Sequence, residues 1–157
     1  MPRHAYKRQP VHEDPVYNSF EIAKLINYVM VDGKHSVAQN LVYSMCRKFE
    51  ADKEDPLKIL TQAINNVAPQ HEVKPRRLGG ASYLVPIDVR RERKLYLALN
   101  WIIDTAKTRS NKEFRTFADK LYTEIKEAAQ NQGNAVAKRM QTEKLADANK
   151  AFAHLKW

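Results

Sequence analysis

Apolar residues recur at helical spacing along most of this chain. Ile22, Leu25, Ile26, Val29 and Met30 predict a first helix, capped by Ser19, running to about Val31 and stopped by Asp32-Gly33. Val37, Ala38, Leu41, Val42, Met45, Cys46 and Phe49 form the cleanest stripe, a second helix with Ser36 as its expected cap. Asp55-Pro56 reads as an N-cap followed by proline at the first helical position. The third helix it opens buries Leu57, Leu60, Ala63, Ile64 and Val67 before Pro69 ends it. A fourth helix spans about Arg91 to Lys107, with Leu95, Ala98, Leu99, Ile102, Ile103 and Ala106 inward and Trp101 at the stripe's edge. Ser110-Asn111-Lys112-Glu113 has the spacing of a capping box launching a fifth, with Phe114, Phe117, Ala118, Leu121, Tyr122 and Ile125 inward. Asn131 to Gly133 breaks it. Beyond Asn134 large apolar residues thin out to Val136, Met140 and Leu145, which predicts a sixth, more exposed helix and a tail over 134–157.

One stretch departs from this period. Glu72 to Leu78 and Ala81 to Val89 are extended runs flanking Gly79-Gly80, a dipeptide that supplies the positive φ angles of a two-residue hairpin turn. With that turn, Leu78 pairs with Ala81, Pro75 lies opposite Leu84, and Val73 lies opposite Pro86. Both prolines then fall where no ladder donor is missed. Lys74, Arg76, Tyr83, Val85 and Ile87 share one face, and Arg77, Ser82 and Leu84 the other, so neither face is a plain apolar core surface. A two-stranded ribbon is marginal alone in water and is expected to lean on the helical body at its base and on a partner at its tip. The fold class is therefore mainly α: a six-helix domain with a protruding two-stranded β-hairpin arm, at about 72–89. With 157 residues the chain fits one domain, in which 1–15 form an extended basic N-terminal arm and 70–94 the hairpin and its root.

Charge sharpens the picture. Lys and Arg total 27 against 18 Asp and Glu, a net charge of +9, which favours a polyanionic partner. The cations gather outside the apolar stripes: Arg3, Lys7 and Arg8 in the arm, Lys34 and His35 after the first helix, and Lys74, Arg76 and Arg77 on the hairpin. Arg90, Arg91, Arg93 and Lys94 follow at its root, and Lys107, Arg109, Lys112 and Arg115 near the turn between helices four and five. A rigid core presenting cationic loops makes nucleic-acid binding the favoured function. Charge alone leaves RNA and DNA open, because a β-ribbon arm also serves architectural DNA-binding proteins.

Catalytic chemistry finds little support. The five histidines lack the one-turn spacing of a helical metal pair, the glycines do not form a phosphate-cradling loop, and no serine elbow is present. The one cysteine, Cys46, lies on an apolar stripe and reads as a buried, inert thiol. No enzyme, cofactor or metal is expected. The N-terminal residues have no apolar export core, and no run is long enough to span a bilayer, so no membrane partner is expected.

Four segments carry a resemblance: 14–43, 55–69, 72–90 and 148–157, including VMVDGK, RRLGGASYLVP and the closing AFAHLKW. They closely resemble the family of small-subunit ribosomal protein seven, of the bacterial type, over nearly the whole chain. The resemblance implies six helices and a hairpin arm, and a structural, non-catalytic primary binder of small-subunit ribosomal RNA. It would dock on the 3′ major domain, nucleate assembly of the subunit head, and lie at the subunit interface near the exit-site transfer RNA and the messenger exit path. Small-subunit proteins nine and eleven would be neighbours, and the location would be cytoplasmic and ribosome-bound, an organellar ribosome being also compatible. Carried onto matching positions, the RNA contacts would be Arg3, Lys7, Arg8, Lys34, His35, Lys74, Arg76, Arg77, Arg90, Arg91 and Arg93. Lys94, Lys112 and Arg115 join them on charge and position. The tip residues Leu78, Gly79, Gly80, Ala81 and Ser82 would approach the transfer RNA. The family often has arginine where this chain carries His35 and Asn111. The alternative reading from another class is the architectural DNA-binding protein.

Overall fold

The computed structural model describes residues 11–155, apart from the side chain of Leu78. Among them, six α-helices and one hairpin follow in the order α1 (Phe20–Val29), α2 (His35–Ala51), α3 (Pro56–Val67), β1 (His71–Leu78), β2 (Ala81–Asp88), α4 (Arg91–Thr108), α5 (Phe117–Ala129) and α6 (Asn134–Ala148). A short 3-10 helix, Lys150–Leu155, ends the described chain.

Side-chain capping fixes several helix starts. The Ser19 hydroxyl accepts from the Ile22 amide, and the Asp55 carboxylate accepts from Leu57 and Lys58 ahead of Pro56 at the first helical position. Two expected caps are displaced. Ser36 does not cap α2: the turn through Asp32 and Gly33, both at positive φ, sends the chain into the helix earlier, with Lys34 at the N-cap and no side-chain cap. Val37 consequently faces outward and is left exposed, while Ala38, Val42, Met45, Cys46 and Phe49 are buried. Nor does Ser110 launch α5. Ser110 to Phe114 form a turn, and the capping box is Thr116 with Asp119, each side chain accepting from the other's amide at 3.2 Å. The Lys120 ammonium holds that turn by donating to the Arg109 carbonyl at 2.6 Å and the Asn111 carboxamide at 2.5 Å, contacts that an earlier helix start would break.

The core lies around α5, which packs against α2, α3 and α4. Leu121, Ile125 and Ala128 of α5 meet Phe49, Leu60, Val67, Leu99 and Ile102 there, all fully or almost fully buried. The α6 helix contributes only Ala135, Val136 and Ala146 and leaves Met140 and Leu145 half exposed, as its apolar-poor sequence predicts.

The hairpin has the expected register: Leu78 opposite Ala81, Pro75 opposite Leu84, Val73 opposite Pro86. Gly79 and Gly80 both take positive φ at the turn. Beyond the strand ends, the Val89 amide donates to the Gln70 carbonyl at 3.0 Å, which puts this pair, and every second pair up to Leu78 and Ala81, at hydrogen-bonded sites. Pro75 and Pro86 fall between them. Support for the ribbon extends past its base. The 3-10 helix packs on β2, where Phe152 meets Tyr83 with ring centroids 5.3 Å apart, and α6 packs on both strands. Val85, on the face shared with Tyr83, is fully buried by this backing.

Candidate nucleic-acid interface

The hairpin's two faces divide its cations. Lys74 and Arg76 lie on the face of Val85 and Tyr83, where Arg76 is half-buried opposite Tyr83 and Lys74 stands 3.6 Å from the Glu72 carboxylate. Arg77 lies on the opposite face with Val73, Pro75, Ser82, Leu84 and Pro86, and it is exposed. Gly79, Gly80, Ala81 and Ser82 are exposed at the tip.

At the root, packing ties some cations down. Arg93 pairs with Glu72 at 3.3 Å and lies over the Tyr96 ring at 5.0 Å, while Lys94 donates to the Gln70 carboxamide at 2.5 Å. These contacts brace the hairpin against the first turn of α4. Arg90, the N-cap of α4, and Arg91 are exposed, with no carboxylate at ion-pair distance among the described residues.

Tyr96 then meets Tyr28 near the end of α1, edge to face at 5.6 Å. The chain Arg93, Tyr96, Tyr28 therefore connects the hairpin root to the helix that leads into the exposed Lys34 and His35. Hairpin, root and α1–α2 turn thus share one end of the helical body. Lys112 and Arg115 are exposed but lie past the far end of α4, whose 18 residues separate them from the root by roughly 25 Å. Arg3, Lys7 and Arg8 lie outside the described residues.

Arg109 does not join the cationic surface. Its guanidinium contacts Glu124 at 2.6 Å and Glu127 more closely still, with the Glu124 side chain fully buried and Arg109 14% exposed. Burial works against the charged guanidinium, but the two glutamates outweigh it and raise its affinity for the proton. The pair holds the end of α4 to α5, and Glu124 also accepts from the Ala135 amide at 3.2 Å, fixing the start of α6.

Other titratable groups are structural. Burial pushes the Cys46 thiol up to about 12, with the Glu50 charge adding to it. No group of three His, Cys, Asp or Glu side chains able to hold a metal occurs among the described residues. No helix among them is long and apolar enough to cross a membrane.

Sequence reasoning missed the aromatic part of this surface. Tyr28 and Tyr96 received no role from the sequence, yet they join two cationic groups; the available signal was a tyrosine one turn after an arginine, Arg93 to Tyr96, on an exposed face.

The family model described as ribosomal protein S7p/S5e matches residues 1–150. The chain belongs to that family. Among similar proteins, the small ribosomal subunit protein uS7 of Thermoanaerobacter pseudethanolicus is 48% identical over 162 aligned positions, covering all of both chains. The proteins of the same name from Caldicellulosiruptor bescii, 48% identical over the whole of both chains, and Mesorhizobium japonicum, 43% identical over 99% of this chain and 98% of the relative, are similar to it too. Ribosomal protein S7 is a structural, non-enzymatic family, which agrees with the absence of catalytic patterning in the sequence.

Proposed function

We propose that this chain is a structural constituent of the small ribosomal subunit that binds the 3′ major domain of its ribosomal RNA and nucleates assembly of the head. The observation that carries the reading is the full-length similarity to proteins named for that subunit. The cationic end built from the hairpin, Arg90, Arg91, Lys34 and His35 supports it, because phosphate contacts from basic side chains supply most of the affinity for RNA. In this reading Arg3, Lys7, Arg8, Lys74, Arg76, Arg77, Arg93 and Lys94 contact the same RNA, and Lys112 and Arg115 meet a separate segment of it. The tip from Leu78 to Ser82 approaches the exit-site transfer RNA near the messenger path, and proteins nine and eleven are neighbours. The location follows as ribosome-bound in the cytoplasm.

The test is competition binding at fixed moderate salt between a head-domain ribosomal RNA fragment and duplex DNA of equal length. Tight, RNA-selective binding is expected. In Lys74→Ala/Arg77→Ala it weakens about tenfold or more, and the dependence of log affinity on log salt falls by about 1.5. Equal affinity for both nucleic acids would sink the ribosomal reading and favour the architectural DNA-binding one.

A further inference from the structure

A cavity of about 430 Å³ opens between α1, α2 and the segment that precedes α1, and one of its lining residues, His35, directly follows the exposed Lys34 in the chain. Ala23, Ile26 and Asn27 supply one wall from a single face of α1, and His35 and Gln39, one turn apart, supply the facing wall from α2. The third wall is the chain around His12, anchored because the buried Asp14 carboxylate accepts from the Val16 and Tyr17 amides at 3.1 and 3.0 Å and from the Tyr43 hydroxyl at 2.8 Å.

The lining is selective. Its floor is apolar, Ile26 being 1% and Ala23 9% exposed. Its rim is polar: the Gln39 amide nitrogen donates to the Tyr43 hydroxyl at 2.8 Å, and no described residue donates to the Gln39 carboxamide oxygen. The Asn27 carboxamide and the His35 ring have no hydrogen-bond partner among the described residues. Among the described residues no lysine or arginine lines the cavity, whereas Glu13 and Asp14 do, which disfavours a phosphate inside it. A flat, uncharged ring with donors and acceptors on its edge suits an apolar floor, flanking imidazoles and two carboxamides. The volume falls within the range of small-ligand sites.

We propose that this cavity receives one unstacked nucleobase of the RNA bound by the cationic end, with Asn27 and Gln39 reading its edge and the adjoining phosphate passing by Lys34. The inference rests on the RNA-binding reading above and adds a base-reading site to what is otherwise a phosphate-binding surface.

The experiment is chemical probing of Watson–Crick edges, at nucleotide resolution, on the head-domain RNA fragment bound to the full chain. Parent protein, Asn27→Ala, Ala23→Leu and Lys74→Ala/Arg77→Ala are compared, each checked for an unchanged melting temperature. Asn27 is half-buried and its loss leaves the core untouched, so this variant keeps the test decisive if the cavity-filling Ala23→Leu misfolds. One base shielded in the parent complex is expected to regain reactivity in both cavity variants, with affinity falling about fivefold to tenfold and the remaining footprint retained. Parent and cavity variants with superimposable footprints and equal affinity, while the hairpin variant binds weakly, would overturn the base site alone. A parent that does not bind the RNA would overturn both readings.

Discussion

Replacing Arg109 with alanine separates a structural cation from those proposed to contact RNA. In the parent, Glu124 is fully buried and has two partners outside its own helix, the Arg109 guanidinium at 2.6 Å and the Ala135 amide at 3.2 Å. Arg109→Ala leaves a buried carboxylate with one neutral donor, and removing one member of a buried ion pair costs about 3–5 kcal/mol. Against a total stability on the order of 5–15 kcal/mol, that is a large fraction, and it lowers the melting temperature by roughly 10 °C. Urea unfolding followed by circular dichroism at neutral pH measures it. Arg109→Met/Glu124→Gln removes both charges and keeps an acceptor for Ala135, so its loss is smaller than the sum of the single losses by about 1 kcal/mol or more. RNA affinity of the folded Arg109→Ala protein stays at the parent level. A loss below about 1 kcal/mol, or a drop in RNA affinity like that of the hairpin variant, would refute this account of the buried cluster.

Three further outcomes are expected. The Asp52 carboxyl is held below the usual carboxylate range, first by the Tyr122 hydroxyl and then by Lys126 at 2.9 Å. Its contribution is complete above the unfolded value of about 3.9 and fades as pH falls through the lower folded value, so the stability gap between parent and Asp52→Asn narrows from pH 7 to pH 2; a constant gap would contradict it. Gly133 takes φ +90° and ψ 174°, and an added Cβ would meet the Glu127 carboxylate at 2.9 Å. Gly133→Ala therefore costs about 1–3 kcal/mol in urea unfolding, and an unchanged midpoint would count against it. Phe152→Ala removes the backing of Tyr83 and is expected to speed amide exchange in β2 while leaving α5 protected; unchanged β2 exchange would show that the 3-10 helix does not support the hairpin.

Local periodicity and turn chemistry determined much of this protein. The apolar repeat of Ala38, Val42, Met45 and Phe49 marks α2, Asp55-Pro56 marks the start of α3, and Gly79-Gly80 with two prolines sets the hairpin register, because each works through neighbours in the chain. The cationic groups proposed for the interface stand out in the sequence for the same reason: each is a short run. Tertiary structure decided what depends on distant residues. Ser110 and Thr116 both offer a box at the right spacing, and Lys120 folding back onto Arg109 and Asn111 favours the second. Arg109 reads as one more surface cation until Glu124 and Glu127, on the next helix, bury it. Phe152 and Tyr83 lie far apart in sequence, and only packing brings the tail behind the hairpin; likewise Tyr28 meets Tyr96, and Asn27 faces His35, because α1 is laid against α4 and α2. Spacing along one chain fixes which side chains share a face, whereas which faces meet is set by the whole core at once.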